Sequence, residues 1–174
     1  MSKTKFSGVL STFIICFGFW ILLTWSLDTE ELAAGAVVSL AVALFSSRFF
    51  IHEKAFWFFN PVKLGTLLVY LNVIFLWELI KANVDMAKRC FGGCKNINPG
   101  VIRVPVDLEG DYPQAMLANC ITLTPGTITL DIAEEDGKTY YYIHWIDVAT
   151  TDPVEAGNAI KGTMENWIRR IWTK

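Results

Sequence analysis

A run of 22 residues without a charge, residues 6–27, limits most strongly how this chain can fold; Lys5 precedes it and Asp28 closes it. A helix rises about 1.5 Å per residue, so such a run reaches across a hydrocarbon core of about 30 Å. No small-residue cleavage site follows a short apolar core, so the run reads as an anchor and not as a removable leader. A second apolar run, residues 32–47, follows the short acidic loop of Asp28, Thr29, Glu30 and Glu31. Arg48 can snorkel, and Phe49, Phe50 and Ile51 prolong the run to residue 51. Two spans are therefore expected, 6–27 and 32–51. The whole chain, 174 residues and 53% hydrophobic, is too apolar for an ordinary soluble domain, and the excess lies in its first half.

Both spans carry small residues at helical spacing. Gly8, Thr12 and Cys16 share one face of the first, and Gly35, Ser39 and Ala43 share one face of the second. Small residues four apart let helix backbones approach closely in lipid, which suits packing of the two helices on each other and docking on further subunits alike. Neither 6–27 nor 32–47 contains Asp, Glu, Lys, Arg or His. Pathways for ions or protons usually need such groups, so these spans are not expected to carry an ion across. The same lack argues against a small homo-oligomeric channel.

Beyond the second span, His52 and Lys54 stand beside Phe56, Trp57, Phe58 and Phe59, a composition suited to the membrane–water interface. Pro61 can open a new helix. The third apolar stretch, residues 64–77, has only 14 residues before Glu78 and includes Asn72. That length favours an interfacial, re-entrant or protein-buried helix over a lone span. Its continuation places Glu78, Lys81, Asp85 and Lys88 on one face, where they can pair. Lys3 and Lys5 before the first span, and Arg48, Lys54 and Lys63 after the second, put the N-terminus and the segment past residue 51 in the cytoplasm. A third crossing would carry Lys81, Lys88, Arg89 and Lys95 outside with everything that follows. The expected anchor is thus residues 1–95, with two spans and a tilted or interfacial third helix over 62–90; three spans are the alternative.

Residues 96–174 read as a small soluble α+β domain. They hold six Lys/Arg against eleven Asp/Glu, too acidic to suggest nucleic acid. A strand is expected over 101–107. Asp111 is expected as the N-cap, with Pro113 in the first turn, of a short helix to about Leu123. Residues 127–132 alternate, with Ile128, Leu130 and Ile132 on one face. Glu134 to Gly137 makes a hairpin turn into an aromatic strand over 138–148. Asp152 and Pro153 cap a last helix whose apolar face is Ala156, Ile160, Met164, Trp167, Ile168 and Ile171. The order is β-α-β-β-α, helices over one sheet face. Between the first helix and the second strand, Thr124-Pro125-Gly126-Thr127 reads as a type II-like turn, with Pro presetting φ and Gly supplying φ > 0. It lacks the spaced glycines and the lysine of a phosphate loop.

No catalytic or metal centre is expected. His144 and Asp147 point to opposite faces of a strand, which separates a His-x-x-Asp pair. Cys90 and Cys94 flank a Gly92-Gly93 helix stop; with Cys120, His52 and His144 they do not reach the four suitably spaced ligands of a metal site, and they read as free thiols. Cys16 completes a set of four cysteines that forms no secreted disulfide framework.

The chain resembles the E-type subunits of the Mrp/Mnh-type multisubunit Na⁺/H⁺ antiporters. The residues that carry the resemblance are Ala82-Asn83-Val84-Asp85-Met86-Ala87, then Pro99-Gly100, then Leu117-Ala118-Asn119, and Ile121-Thr122-Leu123-Thr124-Pro125-Gly126-Thr127, with His144 one strand later. The likeness covers nearly the whole chain. Cys120 stands where the family usually has a small polar residue such as Ser, and Cys90 and Cys94 lie outside its pattern. The resemblance implies a non-catalytic, cofactor-free accessory component in the cell membrane, multi-pass, with other antiporter subunits and membrane lipid as partners. Related modules occur in archaeal membrane-bound hydrogenase-type complexes, so a redox-driven ion pump is the alternative host.

Overall fold

The structure, a computed structural model, describes residues 2–50, 59–93 and 97–172. It divides into two compact units, Met1–Leu64 and Gly65–Lys174. The interfacial residues His52, Lys54, Phe56, Trp57 and Phe58 lie outside the described residues, as does Cys94.

The first unit is built on two helices, α1 (Ser2–Thr24) and α2 (Thr29–Phe50). Trp25 ends α1 by taking φ +51 while its N–H bonds to Ile21 O at 2.9 Å, a left-handed closure that stops the helix three residues before the apolar run ends. Glu30 and Glu31 occupy the first turn of α2, where carboxylates complement the helix dipole. Gly35, Ser39 and Ala43 are all buried, together with Gly8 and Ser11 of α1. The small-residue face of α2 is thus the one that meets α1. A Cβ on Gly35 would stand 2.4 Å from the Trp20 ring, and Trp20 Nε1 donates to Glu31 O at 3.1 Å. Elsewhere both helices expose apolar side chains, as Phe19, Leu22, Val37 and Phe45 do. Phe6–Thr24, Thr29–Ser46 and Pro61–Phe91 are each long and apolar enough to cross a membrane by length and composition.

The third helical rod has three parts: α3 (Pro61–Val69), a π-helical segment (Tyr70–Phe75) and α4 (Leu76–Phe91). Asn60 Oδ1 opens it by accepting from Val62 and Lys63 N–H. A π-helical segment holds about one residue more than the α-helical turns it replaces, which turns the preceding residues about 100° relative to those that follow. Tyr70, at its start, is fully buried. Gly92 and Gly93 end the rod, Gly93 with φ +79.

The α/β part follows as β1 (Gly100–Val106), α5 (Asp111–Leu123), β2 (Thr127–Glu135), β3 (Lys138–Trp145), α6 (Pro153–Lys161) and α7 (Met164–Trp172). The sheet is antiparallel in the order β1-β3-β2, so the aromatic strand is central. Ile102, Val104, Tyr141 and Ile143 face the helices and pack with Leu117, Ile121, Met164, Ile168 and Ile171 as the core. Tyr141 O–H donates to Gln114 O of α5 at 2.7 Å, and burial, with the Glu165 charge adding, raises its pKa.

Several local expectations are corrected. Gly110, with φ +93, is the N-cap of α5 and Asp111 the first helical residue, because the sharp entry needs glycine's left-handed φ. Ile128, Leu130 and Ile132 do not share a face. Thr129 pairs with Ile143 and Asp131 with Tyr142, which leaves Leu130 as the extra residue of a bulge. Ile128 therefore stays opposite His144 on the open sheet face, while Ile132 moves opposite the buried Tyr141. The last helix is two helices, broken where Gly162 takes φ +49. The hairpin is tighter than expected: only Asp136 (φ +51) and Gly137 (φ +71) turn, as a two-residue loop with two positive φ values requires.

The break between α6 and α7 folds a polar cluster inward. Lys161, 8% exposed, donates to Pro105 O and pairs with Glu165 at 2.7 Å. Glu165 also accepts from Asp107 N–H at 2.6 Å, and Arg169 donates to Asp107 O and to its carboxylate, both at 2.9 Å. The cluster ties both C-terminal helices to the end of β1. Removing one member of a buried ion pair strands the other, at about 3–5 kcal/mol. Lys161→Met is expected near the lower end, about 3 kcal/mol, because Arg169 remains 3.9 Å from Glu165. Denaturant unfolding of the full chain in detergent, followed by tryptophan fluorescence, measures it. Adding Glu165→Leu should restore most of the loss; a single variant as stable as the parent would show that the pair does not hold these helices.

Candidate functional site

Of the stretches that carry the family resemblance, residues 82–87 and 121–127 come together in the second unit. The meeting point is the turn between α5 and β2. Thr124 leaves the helix in extended conformation, and Gly126 takes φ +100 at the third position of the turn. The Ile121 carbonyl accepts from both Thr124 and Thr127 hydroxyls at 2.7 Å, and the two hydroxyl oxygens lie 3.0 Å apart. Thr122 Oγ1 accepts from Thr129 N–H at 3.2 Å, and Ile146 N–H donates to Gly126 O at 2.9 Å. Thr124 and Thr127 thus satisfy a carbonyl that the helix end leaves open, while Thr122 takes an N–H of β2.

This turn packs on α4. A Cβ on Gly126 would stand 3.1 Å from Ile146 Cγ2 and 3.2 Å from Met86 Cε. Next to it, Arg89 bridges two carboxylates: its Nε donates to Asp85 at 2.8 Å, and its Nη1 donates to Asp147. Farther along the rod, Tyr70 O–H donates to the buried Cys120 Sγ at 3.3 Å. Burial pushes the Cys120 thiol up, and the Tyr70 bond works against that shift.

The other residues expected at a site are spread around this contact. Asn83 is exposed on α4 and donates to Leu79 O at 2.7 Å. Pro99 is exposed before β1, and Gly100 begins that strand opposite Trp145. Asn119 is exposed on α5. His144 sits in the row Val101–His144–Ile128 on the open face of the sheet, whereas Asp147 lies past the strand end on Arg89. The His144–Asp147 pair is therefore not assembled. No group of three His, Cys, Asp or Glu able to hold a metal occurs among the described residues. Tyr70 and Arg89 are contact residues that sequence reasoning misses. An aromatic in an apolar run carries no sign of its partner, and in sequence Arg89 is one more basic residue past the third apolar stretch.

A pair of helices with span-length apolar segments, joined to an α/β domain that clamps a third helix through a Thr-Pro-Gly-Thr turn, defines a membrane-anchored component of a larger complex. The comparisons with known proteins narrow that class. The chain belongs to the MNHE family of Na⁺/H⁺ ion antiporter subunits, whose sequence profile matches residues 13–171. It is 33% identical to the E1 subunit of the Na⁺/H⁺ antiporter of Staphylococcus haemolyticus (strain JCSC1435), over 94% of this chain and 96% of that protein. Identity to the corresponding E1 subunit of Staphylococcus aureus (strain JH9) is also 33%, over 88% of this chain and 90% of the relative. Among solved structures, a chain of the membrane-bound sulfane sulfur reductase, an archaeal respiratory membrane complex, superimposes with a TM-score of 0.78 at 40% identity, covering 95% of this chain and 99% of that one.

Two predictions test the contact. Gly126→Val places a β-branched residue at φ +100 against Met86 and Ile146. Backbone strain of this kind costs about 1–3 kcal/mol, to be read as a lower unfolding midpoint of the full chain in detergent; an unchanged midpoint would sink the assigned role of the turn. Cys120 is buried with a raised pKa, so less of it is thiolate at a given pH. Cys90 is exposed. Iodoacetamide at pH 8 is expected to modify Cys90 first and Cys120 only on unfolding, as peptide masses will report; comparable rates would mean that α5 does not pack on Tyr70.

Proposed function

We propose that the chain is a non-catalytic subunit that supports assembly of a multisubunit monovalent cation/proton antiporter and does not itself carry ions. One observation carries the reading: in a member of an antiporter subunit family, residues 6–24 and 32–46 contain no Asp, Glu, Lys, Arg or His. A pathway for Na⁺ or H⁺ through lipid usually needs such groups. The partners are other subunits of the complex and membrane lipid. The positive-inside pattern of Lys3, Lys5, Arg48, Lys54 and Lys63 supports a cytoplasmic position for the soluble domain at the cell membrane. The residues Asn83, Asp85, Pro99, Gly100, Asn119, Thr122, Thr124, Pro125, Gly126 and Thr127 act in this reading as structural residues of the domain and its clamp on the third helix.

A second reading has its own support. Identity to the chain from the archaeal respiratory complex, 40%, exceeds that to the staphylococcal antiporter proteins, 33%. The same module then serves a redox-driven ion pump.

A mild-detergent affinity pull-down of the tagged chain from its native membrane, with mass spectrometry, separates the two. Antiporter-type subunits alone are expected for an exchanger. Antiporter-type subunits with metal-containing redox proteins would identify the respiratory host. A chain that emerges alone would overturn both. In proteoliposomes the purified chain by itself should give no Na⁺-dependent change of internal pH; a measurable exchange would refute the non-carrying role.

A further inference from the structure

A sheet of three strands has two outer edges, and the unpaired backbone groups of an edge pair readily with another extended chain unless something blocks them. The β2 edge is blunted. Thr122 takes the Thr129 N–H, Leu130 bulges out of the ladder, and Asp131 takes the Ile132 N–H with its own carboxylate. Glu134 and Glu135 add charge at its end. The far end of the β1 edge is blocked as well. Lys161 donates to Pro105 O, Glu165 accepts the Asp107 N–H, and Arg169 donates to Asp107 O. These three bonds also fix which way the strand's backbone groups point. In an antiparallel ladder the N–H and C=O of one residue point the same way, and successive residues alternate. Pro105 and Asp107 point away from β3, so Val101 and Arg103 do too, while Ile102 and Val104 bond to β3. Proline fits position 105 because an outward residue gives no N–H to the ladder.

Val101 and Arg103 are the gap in this protection. Among the described residues no hydrogen bond reaches the outward N–H or C=O of either. Val101 is 56% exposed, and the Arg103 side chain 44%. Both side chains lie on the open face of the sheet, Val101 in the row of His144 and Ile128. Arg103 lies over the Tyr140 ring and pairs with Glu135 at 3.2 Å. A guanidinium has five N–H donors, so donors remain for a second carboxylate. Arg89 already bridges two carboxylates in this way. A second copy of the same edge fits badly. Pairing both open residues with those of the copy sets Arg103 beside its counterpart on the diagonal, within reach of long side chains and with like charge.

We infer that the first half of the β1 edge is a strand-docking site. An extended segment of another subunit adds beside β1 and exchanges main-chain hydrogen bonds with Val101 and Arg103. It sets an apolar residue beside Val101 and, two residues away, an Asp or Glu beside Arg103. That the segment comes from another subunit rests on the assembly reading above. In strand addition the main chain supplies affinity, and alternate side chains supply specificity. The added strand is short, about three to five residues, because Lys161, Glu165 and Arg169 close the edge from Pro105 onward.

The test compares the complex recovered in mild detergent with the full chain separated from it, by hydrogen exchange resolved to single amides. The Val101 and Arg103 N–H groups are expected to exchange at least about tenfold more slowly in the complex, while Ile102 and Val104 are slow in both samples. Equal rates at Val101 and Arg103 in the two samples would overturn the inference. Benzoylphenylalanine at position 101, photolysed in the native membrane, identifies the occupant. Adducts to a segment of a different polypeptide, with an Asp or Glu two residues from the adduct, support the site. Adducts to a second copy of this chain, or to lipid alone, refute it. Val101→Pro removes one outward N–H and, like Pro105, leaves the ladder to β3 intact. The variant should keep the parent's unfolding midpoint and lose the slow exchange at Arg103 in the complex. Slow exchange that persists there counts against strand addition. A variant that unfolds would show that the Val101 N–H belongs to the β3 ladder, which removes the open edge. A chain recovered without any partner overturns the assembly reading and the site together; a complex with unprotected amides overturns the site alone.

Discussion

The second unit hangs on one carbonyl. Ile121 O, at the end of α5, accepts two threonine hydroxyls at once, and that fixes the direction in which the chain leaves the helix. Proline then sets the first corner and Gly126 takes the left-handed second one. The same turn must leave room for Met86, because glycine is also the only residue without a Cβ to push that side chain away. Conformation and packing thus ask for the same residue at position 126. β2 starts in register only if this corner is right, and the central strand is paired through it by Ile146 N–H on Gly126 O.

Charge placement follows from that geometry. In the first span Thr12 and Thr24 bond back to their own helix, to Gly8 O and Trp20 O. Around the α/β domain the ionisable groups meet in pairs and clusters: Arg89 of α4 between Asp85 and Asp147, and Lys161 with Glu165, Asp107 and Arg169. On the open sheet face Arg103 lies 3.8 Å over the Tyr140 ring and pairs with Glu135, whose carboxylate also takes the Tyr142 O–H. These contacts join elements that are remote in sequence. They are the arrangement of a scaffold, where charge fixes one element on another.

What the sequence makes legible is whatever depends on neighbours in the chain. The Gly35-Ser39-Ala43 face, the Asp152–Pro153 cap and the Thr124–Thr127 turn are all local, and the structure has each of them. Illegible features depend on contacts between distant residues. The bulge at Leu130 has no local marker, since residues 127–132 alternate well enough for an unbroken strand. In sequence Gly162 is one glycine in a helix of steady apolar spacing, yet it breaks that helix and lets Lys161 reach Pro105 O. The partner of Tyr70 lies fifty residues away.

The π-helical segment shows how such a distant contact reshapes local structure. In an unbroken α-helix, Tyr70 and Met86 are 16 residues apart, or about 160° around the axis at 100° per residue. The domain then meets only one of them. The π segment turns the first part of the rod by about 100°, so both side chains reach the same body. A rod that holds a domain on one face along its length needs one extra residue where the domain's edge begins. That residue is spent at Tyr70–Phe75, next to the helix that carries Cys120.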